Sequence, residues 1–285
     1  MALHVSSKIT PLQSFQVSME DVARIFARLE GLVKEQGQTE LAMLIRPENK
    51  SDDEFVKDKN QLLSSAYRVT VTIEGSGSEK LFGDDVSLFT SPNLPVRVSQ
   101  IYMTNKTAYR GAVNQAPMNS FEFFLDFSKP PLMDANSFVS SPTSNTSKIE
   151  VQGARESWVA AISEAVVGVI SARSLRRRWL HRGFVYDLGL MILALPLGLY
   201  ACAKAFKIVD AISQDHVFIS STIYTYIVLC AIWIYRMFFG YTKWAFPLSE
   251  LSSNRDSVGV HRAIWGALLL GLAVNFLWDL IKVLS

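Results

Sequence analysis

The sequence is poor in cysteine and in charge for its 285 residues. Its two cysteines, Cys202 and Cys230, lie inside apolar runs, which excludes a small secreted fold held by disulfides. The four histidines are scattered singly, so we predict neither a metal site nor a cofactor. Charged residues make up 19% of the chain and the net charge is +2. This balance lacks the basic excess of nucleic-acid-binding proteins, and we expect no nucleic-acid partner.

Apolar residues are abundant, and charge is divided unevenly along the chain. Hydrophobic residues make up 49% of the sequence and the mean hydropathy is +0.19, which is high for a soluble protein. Residues 1–152 hold 15 basic and 18 acidic residues, a net of −3, whereas residues 153–285 hold 13 and 8, a net of +5. We therefore predict that water surrounds the first half and that a bilayer with anionic headgroups surrounds the second.

Three apolar runs in the second half predict a transmembrane domain of three helices over residues 184–285. The predicted spans cover residues 184–206, 217–236 and 263–283. About 20 apolar helical residues cross the roughly 30 Å hydrocarbon core, at about 1.5 Å per residue. The third run is the shortest, and it reaches this length only by carrying Asp279 and Lys282 into the far interface.

Basic residues collect on one side of these predicted spans. Nine lie before the first span or between the second and third, and three lie on the other side. Because cytoplasmic loops retain positive charge, we expect a cytoplasmic amino terminus and a carboxyl terminus across the membrane. Residues 1–16 lack the apolar core of a signal peptide, in agreement with this orientation. The absence of eukaryotic sorting signals favours a bacterial inner membrane.

Five of these basic residues form a cluster before the first span. They are Arg173, Arg176, Arg177, Arg178 and Arg182. We predict that this cluster contacts anionic lipid headgroups and sets the topology, because cations beside a cytoplasmic span start have this role in membrane proteins.

Small and polar residues recur every four positions along the third span. They are Ala263, Ala267, Gly271, Asn275 and Asp279. This spacing places them along one slowly rotating face of a helix, where a second helix can approach closely. The face packs against the first two spans of the same subunit, mediates self-association or lines a water-filled path.

The first half has the pattern of an α+β domain over residues 1–130. Residues 18–36 carry apolar side chains at helical spacing behind a Ser18–Asp21 cap, and Gly37 can end the helix. Strict alternation over 67–73 and 121–127 predicts half-buried strands, and a phase slip near Gln100 predicts a bulge. We expect an antiparallel or mixed sheet with helices on one side.

Two segments connect this domain to the predicted membrane domain. Residues 131–153 are rich in proline and serine and are predicted to be a linker. Residues 154–183 are predicted to form an amphipathic juxtamembrane helix that ends in the arginine cluster, lying on the membrane or continuing into the first span.

No motif in the sequence carries a recognisable reaction. The stretch from Gly75 to Ser78 follows a strand but lacks the Gly-Lys-Ser/Thr end of a phosphate-binding loop, so it is predicted to be a hairpin turn. No serine lies in a Gly-x-Ser-x-Gly elbow, and we name no catalytic residue. The sequence does not decide whether the protein is an enzyme, but the missing motifs argue against one.

Three functions agree with this architecture. The first is a non-enzymatic binding or sensor module, anchored in the membrane, that recognises a protein or a ligand at the inner face. The second is an oligomerising effector or pore-forming protein that the soluble domain gates. The third is an interfacial enzyme. We expect a protein partner or a second copy of the chain in the first two cases.

Overall fold

The structure is a computed structural model that describes residues 5–131, 143, 145–214, 216–254 and 258–284. Their contacts divide into two compact units. The globular unit comprises residues 5–128, 145–175 and 249–254, and the helical unit comprises the remaining described residues.

The globular unit is an α+β domain. In chain order it contains β1 (Ser6–Pro11), β2 (Phe15–Val17), α1 (Met19–Ala42), α2 (Asp52–Ala66), β3 (Thr70–Gly75), β4 (Lys80–Gly83), a 3₁₀ turn (Val86–Thr90), β5 (Val98–Thr104), α3 (Lys106–Val113), β6 (Ser120–Asp126), β7 (Lys148–Gly153), α4 (Glu156–Ala172) and β8 (Ser249–Leu251). Six strands form one sheet in the order β1-β7-β6-β5-β3-β4, and every neighbouring pair is antiparallel. The predicted fold class is thus confirmed for this half.

The core lies on one face of the sheet. Alternate side chains of the central strands, such as Ile101, Phe123 and Val151, are fully buried together with apolar residues of α1 and α4. Side chains of the opposite parity, such as Tyr102 and Glu122, are only half-buried. The period of two that predicted half-buried strands is therefore visible as one covered face and one open face.

The predicted bulge and hairpin are present. Glu74 pairs with Gln100 while Gly75 pairs with Val98, so one extra residue of β5 lies next to Gln100. Strands β3 and β4 pair directly, with Glu74 opposite Lys80, and the glycine-serine stretch is the turn between them.

Helix α1 begins as predicted but ends later. Ser18 and Asp21 form a capping box at its start. Gly37 does not end the helix, which continues to Ala42. A Cβ atom at Gly37 would lie 2.4 Å from Cγ of Tyr67, so this glycine is needed because an aromatic ring packs against the helix.

The structure differs from the prediction for residues 131–175. Residues Lys148–Gly153 form β7 in the middle of the sheet, although they fell in the predicted linker. Helix α4 packs its apolar face, including Trp158, Ile162 and Val166, into the globular core rather than on a membrane. Helical periodicity marks an apolar face without showing whether protein or lipid covers it. Most of the remaining predicted linker, 132–142 and residue 144, lies outside the described residues.

The helical unit contains two helices that are long and apolar enough to cross a membrane. They cover Gly183–Ser213 and Val217–Ala245. The first consists of α5 (Gly183–Gly189), one π-helical turn (Leu190–Ala194) and α6 (Leu195–Ser213), and the second is α7 (Val217–Ala245). Their apolar side chains are mostly exposed; Phe218, for example, is 83% exposed. A water-soluble core helix would bury such side chains, so this exposure favours lipid contact.

The third predicted span is helical, but a membrane domain of three spans is not established. The helix is α8 (Val258–Leu284). It covers the predicted run 263–283, and it begins five residues before it.

Candidate functional site

The candidate site is a cationic cluster in the helical unit. Arg177, Lys243 and Arg262 lie around His181 and Phe246, Lys129 lies over Trp244, and Arg176, Arg178 and Arg182 flank them in sequence. A 3₁₀ turn, Arg178–His181, carries part of the cluster directly before α5. Arg176, Arg178 and Arg182 are exposed, and the indole of Trp179 among them is 59% exposed. Exposed guanidinium groups and an indole beside the start of an apolar helix have the composition of a lipid-interface anchor.

Arg173 belongs to the globular unit. Its Nε is 3.3 Å from Oδ2 of Asp21, the residue that completes the cap of α1. Burial by itself raises the pKa of Asp21, but hydrogen bonds from Ser18 and the charge of Arg173 outweigh it and hold that pKa below its ordinary value. The structure therefore gives Arg173 a partner in the globular unit, while the other four predicted arginines lie in the helical unit.

His181 is the buried centre of the cationic cluster. Its Nε2 is 2.8 Å from the carbonyl oxygen of Phe246, and its Nδ1 is 2.8 Å from Oγ1 of Thr143. Because a carbonyl only accepts, Nε2 donates and Nδ1 accepts from the Thr143 hydroxyl. Burial lowers the pKa of His181, and the charges of Lys243 and Arg177 lower it further. A neutral ring thus joins three segments of the helical unit.

Two arginines approach the ring of Phe246 at the end of α7. The Cζ atoms of Arg177 and Arg262 are 5.8 Å and 5.4 Å from its centroid. Arg262 also donates from Nε to the carbonyl oxygen of Ala245 at 3.0 Å. The last carbonyls of a helix carry partial negative charge, which favours cations at this place. Arginines from two elements are therefore held around the end of α7.

Aromatic side chains extend the cluster along α7 and the first turn of α8. The Nζ of Lys129 lies 4.7 Å from the Trp244 ring, and Tyr241 Oη is 2.8 Å from Nδ1 of His261. Trp244 meets His261 edge-on, with centroids 4.9 Å apart. Such amphipathic rings are typical of membrane interfaces, where one end of the side chain is dry and the other is wet.

The two apolar helices form a tightly packed hairpin. Tyr235 donates its hydroxyl to the carbonyl oxygen of Tyr186 at 3.0 Å. A Cβ atom at Gly189 would lie 2.0 Å from that hydroxyl oxygen, so a larger residue there would displace the Tyr235 ring. The contact lies just before the π-helical turn and Pro196, where the regular hydrogen-bond ladder is interrupted. A polar contact from the second helix therefore lies next to the interrupted part of the first.

Three residues of the predicted stripe on α8 are exposed. Trp265 of α8 is buried, and its ring meets Phe238 edge-on at 4.6 Å. Ala263, Ala267 and Gly271 are exposed, and no atom lies within 4 Å of a Cβ built on Gly271. The side chains of Asn275 and Asp279 lie outside the described residues.

A buried polar network in the globular unit was missed by sequence reasoning. Glu40 accepts hydrogen bonds from Gln36, from the Tyr67 hydroxyl at 2.8 Å and from Nδ2 of Asn119 at 2.6 Å. Burial and the Glu40 carboxylate raise the pKa of Tyr67, so its hydroxyl stays a donor. These residues come from distant parts of the chain, and no spacing in the sequence marks them. The network holds α1 against the sheet.

Comparison with known proteins gives no family. No protein-family model, curated protein or solved structure matches the chain. Among the described residues, no group of three or more His, Cys, Asp or Glu side chains could hold a metal ion.

Proposed function

We propose that the protein is a membrane-anchored binding module whose globular unit is attached to a transmembrane hairpin at two points. The observation that carries this proposal is the role of β2. The chain segment that leaves the globular unit pairs with β2, where Gln16 N donates to Arg173 O at 3.0 Å. After the hairpin the chain returns as β8, which pairs with the same strand in parallel. The short strand β2 therefore pairs both with the segment that leaves the globular unit and with the segment that returns to it.

The returning segment is anchored further by Asn254. Its side chain accepts from the backbone N of Val98 at 2.9 Å and donates to the Val98 carbonyl at 3.0 Å. Ser252 N also donates to the carbonyl of Val17 at 2.8 Å. A hairpin whose two ends join one globule must cross a bilayer an even number of times, which agrees with two spans between residues 175 and 249.

The basic residues support a cytoplasmic globular unit. Arg176, Arg178 and Arg182 precede the first span, and Lys243 and Arg262 flank the end of the second. Retention of positive charge in the cytoplasm puts this end of the hairpin, and the globular unit with it, on the inner side. The exposed arginines and Trp179 then contact anionic headgroups of the inner leaflet, in a bacterial inner membrane.

Helix α8 serves as a third span in this proposal. It contains 27 residues, which at about 1.5 Å per residue is roughly 40 Å and long enough to cross the hydrocarbon core. The carboxyl terminus then lies on the side opposite the globular unit.

Cysteine labelling in sealed vesicles tests this topology. In a background with Cys202→Ala and Cys230→Ala, single cysteines at Ser76→Cys, at His216→Cys and appended after residue 285 are treated with an impermeant maleimide. We expect Ser76→Cys to react from the cytoplasmic side and the other two from the opposite side. Reaction of Ser76→Cys and His216→Cys from the same side overturns the hairpin. If the appended cysteine is labelled from the same side as Ser76→Cys, only the third span is overturned and the hairpin stands.

An oligomerising effector is the second candidate function. It is favoured by the exposed face of Ala263, Ala267 and Gly271 on α8, because small residues allow close helix association in lipid. An effector depolarises cells that express it, and Gly271→Leu abolishes the effect whereas Leu270→Phe, off the stripe, does not. A binding module leaves the membrane potential unchanged in all three cases.

A further inference from the structure

Three aromatic side chains lie in one row across the open face of the sheet. Phe82 of β4 is opposite Thr72 of β3, Thr72 is opposite Tyr102 of β5, and Tyr102 is opposite Phe124 of β6. Residues that lie directly opposite one another in an antiparallel sheet project from the same face. Phe82 is 61% exposed, and Tyr102 and Phe124 are half-buried. The row therefore presents aromatic surface outside the core.

These three rings have no aromatic partner. Among the described residues, none of them takes part in a ring–ring or cation–π contact. Every other aromatic ring in the described part of the globular unit is buried, as Phe121 and Phe123 are, or contacts another ring or a lysine. Aromatic rings that the fold leaves without partners are typical of surfaces that bind a ligand.

The spacing of the row matches a polyproline II helix. Neighbouring strands lie about 4.8 Å apart, so the backbones at Phe82 and Tyr102, with one strand between them, are about 9.6 Å apart. A polyproline II helix rises about 3.1 Å per residue with three residues per turn, so residues three positions apart are about 9.3 Å apart on one side of it. Because Thr72 is smaller than either ring, the surface between the two rings forms a shallow notch.

Hydrogen-bond donors accompany the rings. The carbonyl oxygens of a polyproline II helix make no internal hydrogen bonds and are available as acceptors. Burial and the Glu122 carboxylate raise the pKa of Tyr102, so its hydroxyl stays a donor. The side chain of Gln100 lies on the same face, two residues along β5, and makes no hydrogen bond within the part of the chain that the structure describes. The open face can therefore bind backbone carbonyl groups as well as apolar rings.

The charges that border the row are paired with one another. Three ion pairs have N···O distances of 2.6, 2.7 and 3.3 Å, namely Lys80–Glu74, Lys106–Glu122 and Lys148–Glu150. A polyanion such as single-stranded nucleic acid needs an excess of cations for its phosphates, and these pairs provide none. The face therefore favours an uncharged chain.

We propose that the open face of the sheet binds a proline-rich segment of a partner protein in the polyproline II conformation, and this inference rests on the proposed binding function. Two prolines three positions apart lie against Phe82 and Tyr102, above the notch at Thr72, and the Tyr102 hydroxyl donates to a carbonyl oxygen of the segment. Such a ligand is ordered before it binds, so aromatic-lined surfaces hold it at a low cost in entropy. The globular unit is then a docking module for a protein.

Fluorescence anisotropy with the full-length protein in nanodiscs tests this docking. The labelled probes are decaproline and two peptides of alanine and proline with equal proline content, one with prolines three positions apart and one with prolines two positions apart. We expect decaproline and the three-position peptide to bind, and the two-position peptide to bind about tenfold or more weakly. Raising the salt concentration should change the affinity by less than about twofold, because the contact involves no charged group of the ligand.

Variants of the row probe the residues directly. Phe82→Ala and Tyr102→Ala should each weaken binding about tenfold or more, and Tyr102→Phe, which keeps the ring and removes the donor, about fivefold. The matched control is Ile45→Ala, an exposed apolar side chain after α1 and outside the sheet, which should bind like the unaltered protein. Phe82→Ala should keep the melting temperature, because that ring is mostly exposed, so its loss of binding does not reflect unfolding.

The inference is overturned if decaproline does not bind, if the two proline spacings bind equally, or if binding survives in both Phe82→Ala and Tyr102→Ala. Cross-linking between two copies of Phe82→Cys in the background without Cys202 and Cys230 also overturns it, because a second copy then covers the face. Cysteine labelling of the hairpin is independent of these results. A confirmed hairpin without peptide binding removes the docking partner and leaves the anchored module, whereas peptide binding by a protein whose labelling contradicts the hairpin does the reverse.

Discussion

The two units differ in the burial of their apolar side chains. In the globular unit Phe121 and Phe123 are fully buried, whereas in the helical unit Phe218 and Val217 are among the most exposed residues. Protein atoms cover the first pair, whereas the second pair lies on a helix that is long and apolar enough to cross a membrane, where lipid would cover such side chains. The comparison teaches that hydrophobicity identifies a buried surface, while the fold decides what buries it.

The largest expected effect comes from removing a ring from the core of the globular unit. Phe123→Ala should lower the free energy of unfolding of the globular unit by about 3–5 kcal/mol, because it leaves a cavity in a filled core. Phe218→Ala, in the second span, should leave that value unchanged. Chemical denaturation of the protein in detergent, followed by the circular dichroism of the sheet, measures both. Equal effects of the two substitutions would contradict different surroundings for the two rings.

Close packing in the hairpin gives the next largest effect. Gly189→Ala should destabilise the hairpin by about 1–3 kcal/mol, because the new methyl group overlaps the Tyr235 hydroxyl. Gly271→Ala is the matched control, since its surroundings are open. Thermal unfolding in detergent, read from tryptophan fluorescence, should distinguish them. A neutral Gly189→Ala would show that the two helices are farther apart than described.

The attachment of the returning segment gives a smaller effect. Asn254→Ala removes both hydrogen bonds to Val98 and should cost about 1–2 kcal/mol. Amide hydrogen exchange at β8 should rise more than exchange at the central strand β6. Ser253→Ala, at the neighbouring exposed position, serves as the control. Unchanged exchange in Asn254→Ala would show that β8 is held by other contacts.

Acid should loosen the contact of His181 with Phe246, and this is the smallest of the four predicted effects. Its pKa is lower in the folded protein than the ordinary value of 6.5, so the unfolded chain takes up the proton first. The neutral ring therefore contributes stability that is present above pH 6.5 and is lost as the pH falls toward the folded pKa. Hydrogen exchange at the end of α7 should rise in this interval. His181→Asn should abolish this pH dependence; if the dependence persists, another group causes it.

Local patterns predicted the elements of the globular unit well. The capping boxes at Ser18 and Ser51 mark helix starts, and alternation around Val71 and Phe123 marks strands. The boundary of the unit was not predictable in this way, because β7 is a short strand next to a serine-rich stretch. Its place in the middle of the sheet depends on partners more than 20 residues away in β6 and more than 130 away in β1.

The candidate sites also differ in whether neighbouring or distant residues form them. Four of the five arginines predicted as one cluster lie in one unit because they are neighbours in sequence, whereas the ion pair of Arg173 with Asp21 joins residues 152 positions apart. The buried network of Glu40, Tyr67 and Asn119 was not predictable, because Glu40 and Asn119 are 79 positions apart in the chain. None of these residue types is unusual where it stands in the sequence.

By itself, the sequence determined the long apolar helices, their flanking cations, the capped helices and the alternating strands, since each depends on residues within a few positions of one another. The tertiary structure alone decided that α4 lies in a protein core, that β2 pairs with the segments on both sides of the helical unit, and that Glu40 accepts hydrogen bonds from Tyr67 and Asn119. Those outcomes depend on contacts between distant segments, whose free energy is set by packing and hydrogen-bond geometry rather than by local pattern.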